Sequence, residues 1–130
     1  MRYLGIDYGS KRVGLAMSDE SGVFAIPFQV LSNSPNLIDD IINICKKYSI
    51  GTIIVGESLD FSQKENKIME EIKPFVQNLK NKSNLEVYMH PEFMTSEEAE
   101  QIQGKNKMHD ASAASIILKS FLDTLNNKTV

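Results

Sequence analysis

The spacing of the apolar residues changes at Asn36, and this change limits the fold classes open to the chain. Before Asn36, three short apolar runs are separated by turn residues, which indicates an antiparallel meander of three strands. After Asn36, helical spacing alternates with short strand-like runs, which indicates parallel strands joined by helices. Together the halves predict an α/β protein with a five-stranded mixed sheet and helices on both faces. The predicted strands are 3–6, 13–17, 23–31, 52–56 and 85–89.

Helical spacing begins at Asn36 and recurs over 65–81, 96–103 and 110–125. Pro74 lies inside the second of these segments, where it could introduce a kink. Length favours a single domain over residues 1–130, and 42% apolar residues suffice for a core without disulfides. The one cysteine, Cys45, lies on the apolar stripe of the first helix and is predicted to pack in that core.

Charged residues at positions 2, 7, 11 and 12 interrupt the first segment of the chain. They leave no apolar stretch suited to a signal peptide, and no later run is long enough to span a bilayer. We therefore expect a cytoplasmic protein without a membrane partner. The formal charge of −3 argues against a purely electrostatic nucleic-acid binder. Nucleic-acid binding would have to come from local basic patches and bound metal.

Three carboxylates follow strands or begin a helix. Asp7 ends a predicted central strand, where open α/β sheets place their chemistry, although aspartate also commonly opens a hairpin turn. Asp110 shares a helical face with apolar residues that must pack on the sheet, and it either caps that helix or serves a site. Glu92 follows the fifth predicted strand and, taken alone, is an ordinary loop glutamate. If all three converge, their oxygens suit Mg²⁺.

Four blocks of sequence resemble the YqgF/RuvX family. Residues 7–16, DYGSKRVGLA, match its opening pattern Asp-x-Gly-x-x-Arg-x-Gly-x-Ala. Residues 54–56 with Leu59, then 92–99, then 110–122 follow in the order of that family. The resemblance covers essentially the whole chain.

The resemblance implies a ribonuclease H-like fold and a metal-dependent nuclease. The acidic residues of the family correspond to Asp7, Glu92 and Asp110 of this sequence. By this resemblance they would be both the catalytic residues and the ligands of Mg²⁺ or Mn²⁺. The family is assigned to maturation of the 5′ end of 16S ribosomal RNA and, through its relation to resolvases, to cleavage of Holliday junctions. We favour the RNA, with ribosomal particles as further partners and four-way DNA as the alternative substrate.

Contacts to phosphate are predicted from the first hairpin turn and from the segment between Glu92 and the last helix. Each lysine could instead be a solvated surface charge, and Thr95 could instead cap a helix. Lys64 and Lys67 are more distant basic candidates. The predicted substrate-binding residues are Gly9, Ser10, Lys11, Arg12, Thr95, Lys105 and Lys107.

Two departures from the family pattern concern the acidic residues. Pro91 and Phe93 flank Glu92 where the family commonly has aspartate and arginine, so any role of that arginine is absent. Glu57 adds a carboxylate near the fourth strand, either as a variant ligand or, as we favour, as a surface charge. His90 and His109 fit no zinc spacing.

Two other function classes compete with the nuclease. An ATP-binding protein of the actin and sugar-kinase superfamily shares the opening Asp-x-Gly, but those proteins clamp nucleotide between two domains, and this chain has the length of one. A non-catalytic RNA- or ribosome-binding module would keep the fold without the chemistry. A junction resolvase should be a symmetric homodimer, whereas ribosomal RNA processing needs only a monomer.

Overall fold

The computed structural model describes residues 1–93 and 107–127, and it contains a five-stranded sheet and three helices. Short alternating apolar runs become the strands, and the segments with helical spacing become the helices. The elements are β1 (Arg2–Tyr8), β2 (Arg12–Ser18), β3 (Ala25–Ser32), α1 (Leu37–Lys47), β4 (Ile50–Leu59), α2 (Met69–Ser83), β5 (Glu86–Phe93) and α3 (Lys107–Asn127).

The strands are ordered β3-β2-β1-β4-β5. β1 pairs antiparallel with β2 and parallel with β4, while β2 and β3 are antiparallel and β4 and β5 are parallel. This arrangement confirms the predicted mixed sheet. β1 lies at its centre and is paired along both of its edges, and β5 forms one edge of the sheet.

The two faces of the sheet carry different helices. Leu4 and Ile6 of β1 are fully buried in a large core formed with α1 and α2. Strand alternation turns Gly5 and Asp7 to the other face, over which α3 packs. Helices on both faces are thereby confirmed. The smaller core under α3 contains Ala16, Ile54, Ala114, Ile117, Leu118 and Leu122.

Two elements begin later than the sequence pattern predicts. β3 starts at Ala25 because the Asp19 carboxylate accepts hydrogen bonds from the backbone N–H groups of Val23 and Phe24, which holds them in a turn. α2 starts at Met69, since Glu65 forms an isolated bridge with Leu59 of β4. Local polar contacts thus decide boundaries that hydrophobic spacing leaves open.

β5 extends to Phe93, well beyond its apolar run, and the prediction that Glu92 lies in a loop is wrong. The parallel ladder with β4 continues through the pair Ser58 and Glu92. Pro91 is tolerated there because β5 is an edge strand, where a missing N–H leaves no ladder bond unmade. The longer strand carries Glu92 alongside the end of β4.

The helices also differ from the prediction at their ends. α3 begins at Lys107, so Asp110 lies in its first turn. α2 continues through Pro74. Cys45 is buried as predicted, and burial raises the pKa of its thiol to about 11. The predicted helix at 96–103, with Thr95 and Lys105, lies outside the described residues. No helix in the described part is long and apolar enough to cross a membrane.

Candidate active site

Three glycines on the sheet allow α3 to pack directly against the strand backbones. A Cβ atom at Gly14 would lie 2.0 Å from the Asp110 carbonyl oxygen. A Cβ at Gly5 would lie 2.7 Å from Leu118 Cβ, and one at Gly56 would lie 2.7 Å from Ile117 Cδ1. These positions have no room for a side chain. The first turn of α3 therefore rests on β2, beside the strand that carries Asp7.

Asp7 lies inside the β1 ladder, paired with Gly14, and so does not belong to the hairpin turn. Burial raises its pKa well above the usual value, and the nearby charges of Glu92 and Asp110 raise it further. Asp7 on β1 is therefore close enough to Glu92 on β5 and to Asp110 on α3 to interact electrostatically with each of them. Of the three carboxylates, Asp7 is the one whose pKa is raised by the charges of both others.

Glu92 faces the same side of the sheet as α3. Its Oε2 atom lies 3.2 Å from the position that a Cβ of Gly56 would take. Burial raises the pKa of Glu92 to about 7. At neutral pH, without a compensating cation, this carboxyl group is therefore divided between its protonated and charged forms.

Asp110 is only 2% exposed, and its two oxygens have different surroundings. Arg12 Nε donates a hydrogen bond to Oδ2 at 2.9 Å. Oδ1 is buried and has no hydrogen-bond partner in the described structure. A buried carboxylate oxygen without a partner is unfavourable in a protein interior, so Oδ1 is well suited to bind a cation.

The donor set fits a hard divalent cation, which prefers carboxylate oxygens. In residues 1–93 and 107–127, however, no group of three or more His, Cys, Asp or Glu side chains is arranged as a metal site. The charge coupling at Asp7 and the unpaired oxygen of Asp110 are the observations that favour a cation here.

The turn between β1 and β2 is held by α2 and by the residue that follows β3. Ser10 Oγ donates to the Glu71 carboxylate at 2.9 Å, and Asn33 Nδ2 donates to the Gly9 carbonyl at 2.8 Å. Lys11 is exposed, whereas Arg12 is directed to Asp110. Of the residues predicted to contact phosphate from this turn, Lys11 is thus exposed to solvent, whereas Ser10 and Arg12 already contact carboxylates of the protein.

The other basic and acidic candidates from the sequence lie on α3, on the segment before α2 and on β4. Lys107 begins α3, although its side chain lies outside the described part. Lys64 and Lys67 are exposed. Strand alternation places Glu57 on the face opposite Ser58 and Glu92, which favours a surface charge over a ligand.

Sequence reasoning did not identify the packing role of Gly14 and Gly56, or the support that Asn33 and Glu71 give to the turn. Gly14 belongs to the matched motif, so its importance was detectable but its reason was not. Asn33 is 24 residues from Gly9, and Glu71 is 61 residues from Ser10. No local signal connects partners so far apart in sequence.

Comparison with known proteins shows which family this chain belongs to. Residues 1–124 match the family described as RuvX, Holliday junction resolvase. A protein of Sulfurihydrogenibium sp. is 36% identical over 133 residues, covering 96% of this chain and 92% of its own. One from Lawsonia intracellularis is 34% identical over 140 residues, covering 100% and 99%. Both are named as candidate pre-16S rRNA nucleases.

Solved structures agree on the fold. RuvC of Thermus thermophilus, in complex with a Holliday junction, superposes with a TM-score of 0.61 at 15% identity and 95% coverage of both chains. The fowlpox virus resolvase with junction DNA gives 0.56 at 12% identity, covering 96% of this chain and 99% of its own. At such identities the likeness supports the ribonuclease H-like fold alone. From the family match, this chain belongs to the RuvX family and is a nuclease that hydrolyses phosphodiester bonds.

Proposed function

We propose that Asp7, Glu92 and Asp110 bind Mg²⁺ or Mn²⁺ and that the chain cleaves RNA, at the 5′ end of precursor 16S ribosomal RNA. The observation that carries the proposal is the buried Oδ1 of Asp110, which has no hydrogen-bond partner in the described structure. It is supported by Asp7, whose pKa is raised by burial and further by the charges of Glu92 and Asp110. Buried like charges repel one another, and a bound cation offsets that repulsion. The three acids are therefore better explained as ligands than as structural residues.

Each residue has a distinct part in this proposal. Asp7 is near both other carboxylates, and Asp110 offers Oδ1 while Arg12 holds its Oδ2. Lys11, exposed in the adjoining turn, is free to meet a phosphate of the substrate. A divalent cation bound here would activate water and stabilise charge on the phosphate.

The choice of RNA rests on the relatives, which are named for precursor 16S rRNA and which match this chain over nearly its full length. The second candidate substrate is a four-way DNA junction. It is favoured by the description of the family and by the fold shared with junction-bound resolvases. A junction resolvase would make paired cuts and would need a dimer with two sites.

The test offers purified protein a precursor 16S 5′-end RNA and, separately, a four-way DNA junction, each with Mn²⁺. Asp7→Asn should reduce cleavage at least a hundredfold, because it removes the central carboxylate, while Asp39→Asn, an exposed aspartate on α1, should cleave normally. Undiminished cleavage by Asp7→Asn would contradict the proposed site. Cleavage of the junction alone would contradict the proposed substrate.

Calorimetric titration with Mn²⁺ separates the nuclease from a non-catalytic binding module. The unaltered protein should take up Mn²⁺, and Asp7→Asn should not, because the site loses its central ligand. Equal uptake by the two proteins would place the metal elsewhere. Absence of uptake by both, together with RNA binding, would favour the non-catalytic module.

A further inference from the structure

Three rings lie together where α3 passes over β5, and we call them the β5 aromatic cluster: Tyr88, His90 and Phe121. The Tyr88 and Phe121 rings are nearly parallel, at 17°, with centroids 6.4 Å apart. The His90 ring meets Phe121 edge-on, with centroids 5.9 Å apart. The cluster lies on the same face of the sheet as Glu92.

The cluster is held in place and yet remains open to solvent. The Tyr88 hydroxyl donates to Glu86 Oε2 at 2.8 Å, and His90 Nε2 lies 2.8 Å from Ser120 Oγ, which fixes the orientation of both rings. Tyr88 is nevertheless 46% exposed and lies outside both apolar cores. A ring that is already oriented loses little conformational entropy when a ligand stacks on it.

Alternation along β5 places Tyr88, His90 and Glu92 in one row, with neighbours about 6.7 Å apart. The row therefore extends from an exposed aromatic ring to a proposed metal ligand over roughly 13 Å. A nucleic-acid strand whose phosphate lies at Glu92 would pass its neighbouring nucleotides over these rings. This continuity connects the cluster with the proposed site.

We propose that the β5 aromatic cluster stacks unpaired bases of the substrate and guides a single strand to the site, an inference that rests on the proposed nuclease function. Aromatic side chains bind the faces of bases with little regard to sequence. Glu86, which accepts the hydrogen bond from Tyr88, places a negative charge beside the rings, so this end of the row suits uncharged bases rather than phosphates. In a duplex the faces of the bases are covered by their neighbours, so the cluster selects single-stranded or unpaired nucleotides.

The test measures the Kd of a short fluorescent single-stranded RNA by anisotropy, with Ca²⁺ in place of Mn²⁺. Tyr88→Leu should weaken binding about five- to tenfold, because one base loses its stacking partner. Tyr88→Phe, which keeps the ring, should bind as the unaltered protein does. Phe24→Leu is the matched control, since Phe24 is 63% exposed beside β3 at the opposite edge of the sheet.

The salt dependence of Kd distinguishes stacking from loss of a phosphate contact. For Tyr88→Leu, the slope of log Kd against log salt should equal that of the unaltered protein, because no charge contact is lost. A changed slope, an unchanged Kd, equal weakening in Tyr88→Phe, or an altered oligomeric state of Tyr88→Leu would each overturn the inference. So would the absence of measurable binding by the unaltered protein.

Failure of this inference is distinguishable from failure of the proposed function. If the unaltered protein cleaves RNA with Mn²⁺ while Tyr88→Leu leaves Kd unchanged, only the stacking role is overturned. If binding depends on the Tyr88 ring but no cleavage occurs with Mn²⁺, the proposed nuclease substrate is overturned and the stacking surface is supported.

Discussion

At the scale of single residues, the contact between Arg12 and Asp110 organises the candidate site. Arg12 Nε holds Oδ2 at 2.9 Å, whereas Oδ1 remains buried and unpaired in the described structure. One oxygen is thus fixed in position by the protein, and the other would be open to the proposed cation. Arg12, expected from the sequence to contact phosphate, is better placed to orient a carboxylate, and its phosphate contact stays a prediction.

Replacing Arg12 tests this arrangement. Arg12→Gln should weaken Mn²⁺ binding or cleavage about 10- to 100-fold, as loss of a residue that orients a metal ligand typically does. Calorimetric titration and cleavage rates measure the two effects. Lys11→Gln is the neighbouring control, and it should leave Mn²⁺ uptake unchanged while lowering the salt dependence of RNA binding. Mn²⁺ uptake and cleavage by Arg12→Gln that match the unaltered protein would contradict an orienting role.

At the scale of the elements, α3 reaches the site because the strands beneath it carry glycine. The closest approach is at Gly14, which pairs with Asp7 across the β1–β2 ladder. A helix held away from β2 would carry Asp110 away from Asp7. The glycine thus serves the site through packing, although it contributes no chemical group.

Gly14→Ala should therefore displace the first turn of α3, because its Cβ would lie 2.0 Å from the Asp110 carbonyl oxygen. We expect the free energy of unfolding to fall by about 1–3 kcal/mol, measured by urea denaturation, with loss of Mn²⁺ uptake. Gly51→Ala in β4 is the control, since its Cβ would meet only the flexible Met1 side chain, at 2.9 Å. Equal stability and uptake in the two variants would contradict the packing argument.

At the scale of the whole molecule, the buried acids make stability depend on pH. The pKa of Glu92 in the folded protein, about 7, lies above that of glutamate in an unfolded chain. Between those two values the folded protein binds more protons than the unfolded chain. Its free energy of unfolding therefore falls as pH rises through this window.

Metal-free protein should accordingly melt at a lower temperature at about pH 8 than at about pH 5, with Glu92 contributing on the order of 1–3 kcal/mol. Thermal unfolding followed by circular dichroism measures this difference. Glu92→Gln cannot lose a proton at this position, so its stability should vary less with pH. Mn²⁺ should restore stability near pH 8. A pH dependence identical in the variant and the unaltered protein would contradict the assignment.

Much of the fold could be predicted because hydrophobic spacing records which faces are buried. The period change at Asn36 was sufficient for the mixed sheet and its two layers of helices. Asp7 could be singled out as a carboxylate at the end of a central strand. The length of β5 could not be predicted, because most of its last residues lack an apolar pattern and are held in the strand by pairing with β4.

The sequence by itself determined the order and type of the strands and helices that the structure describes, the family and the three acidic candidates, because periodicity and motifs are local properties of the chain. Only the tertiary structure decided that Glu92 lies in a strand, that Arg12 holds one oxygen of Asp110, and that the Tyr88 ring stacks on Phe121 of α3. These features depend on strand register and on the close packing of α3 over the glycines of the sheet. Both bring together residues that are far apart in sequence, such as Arg12 and Asp110, which are 98 positions apart.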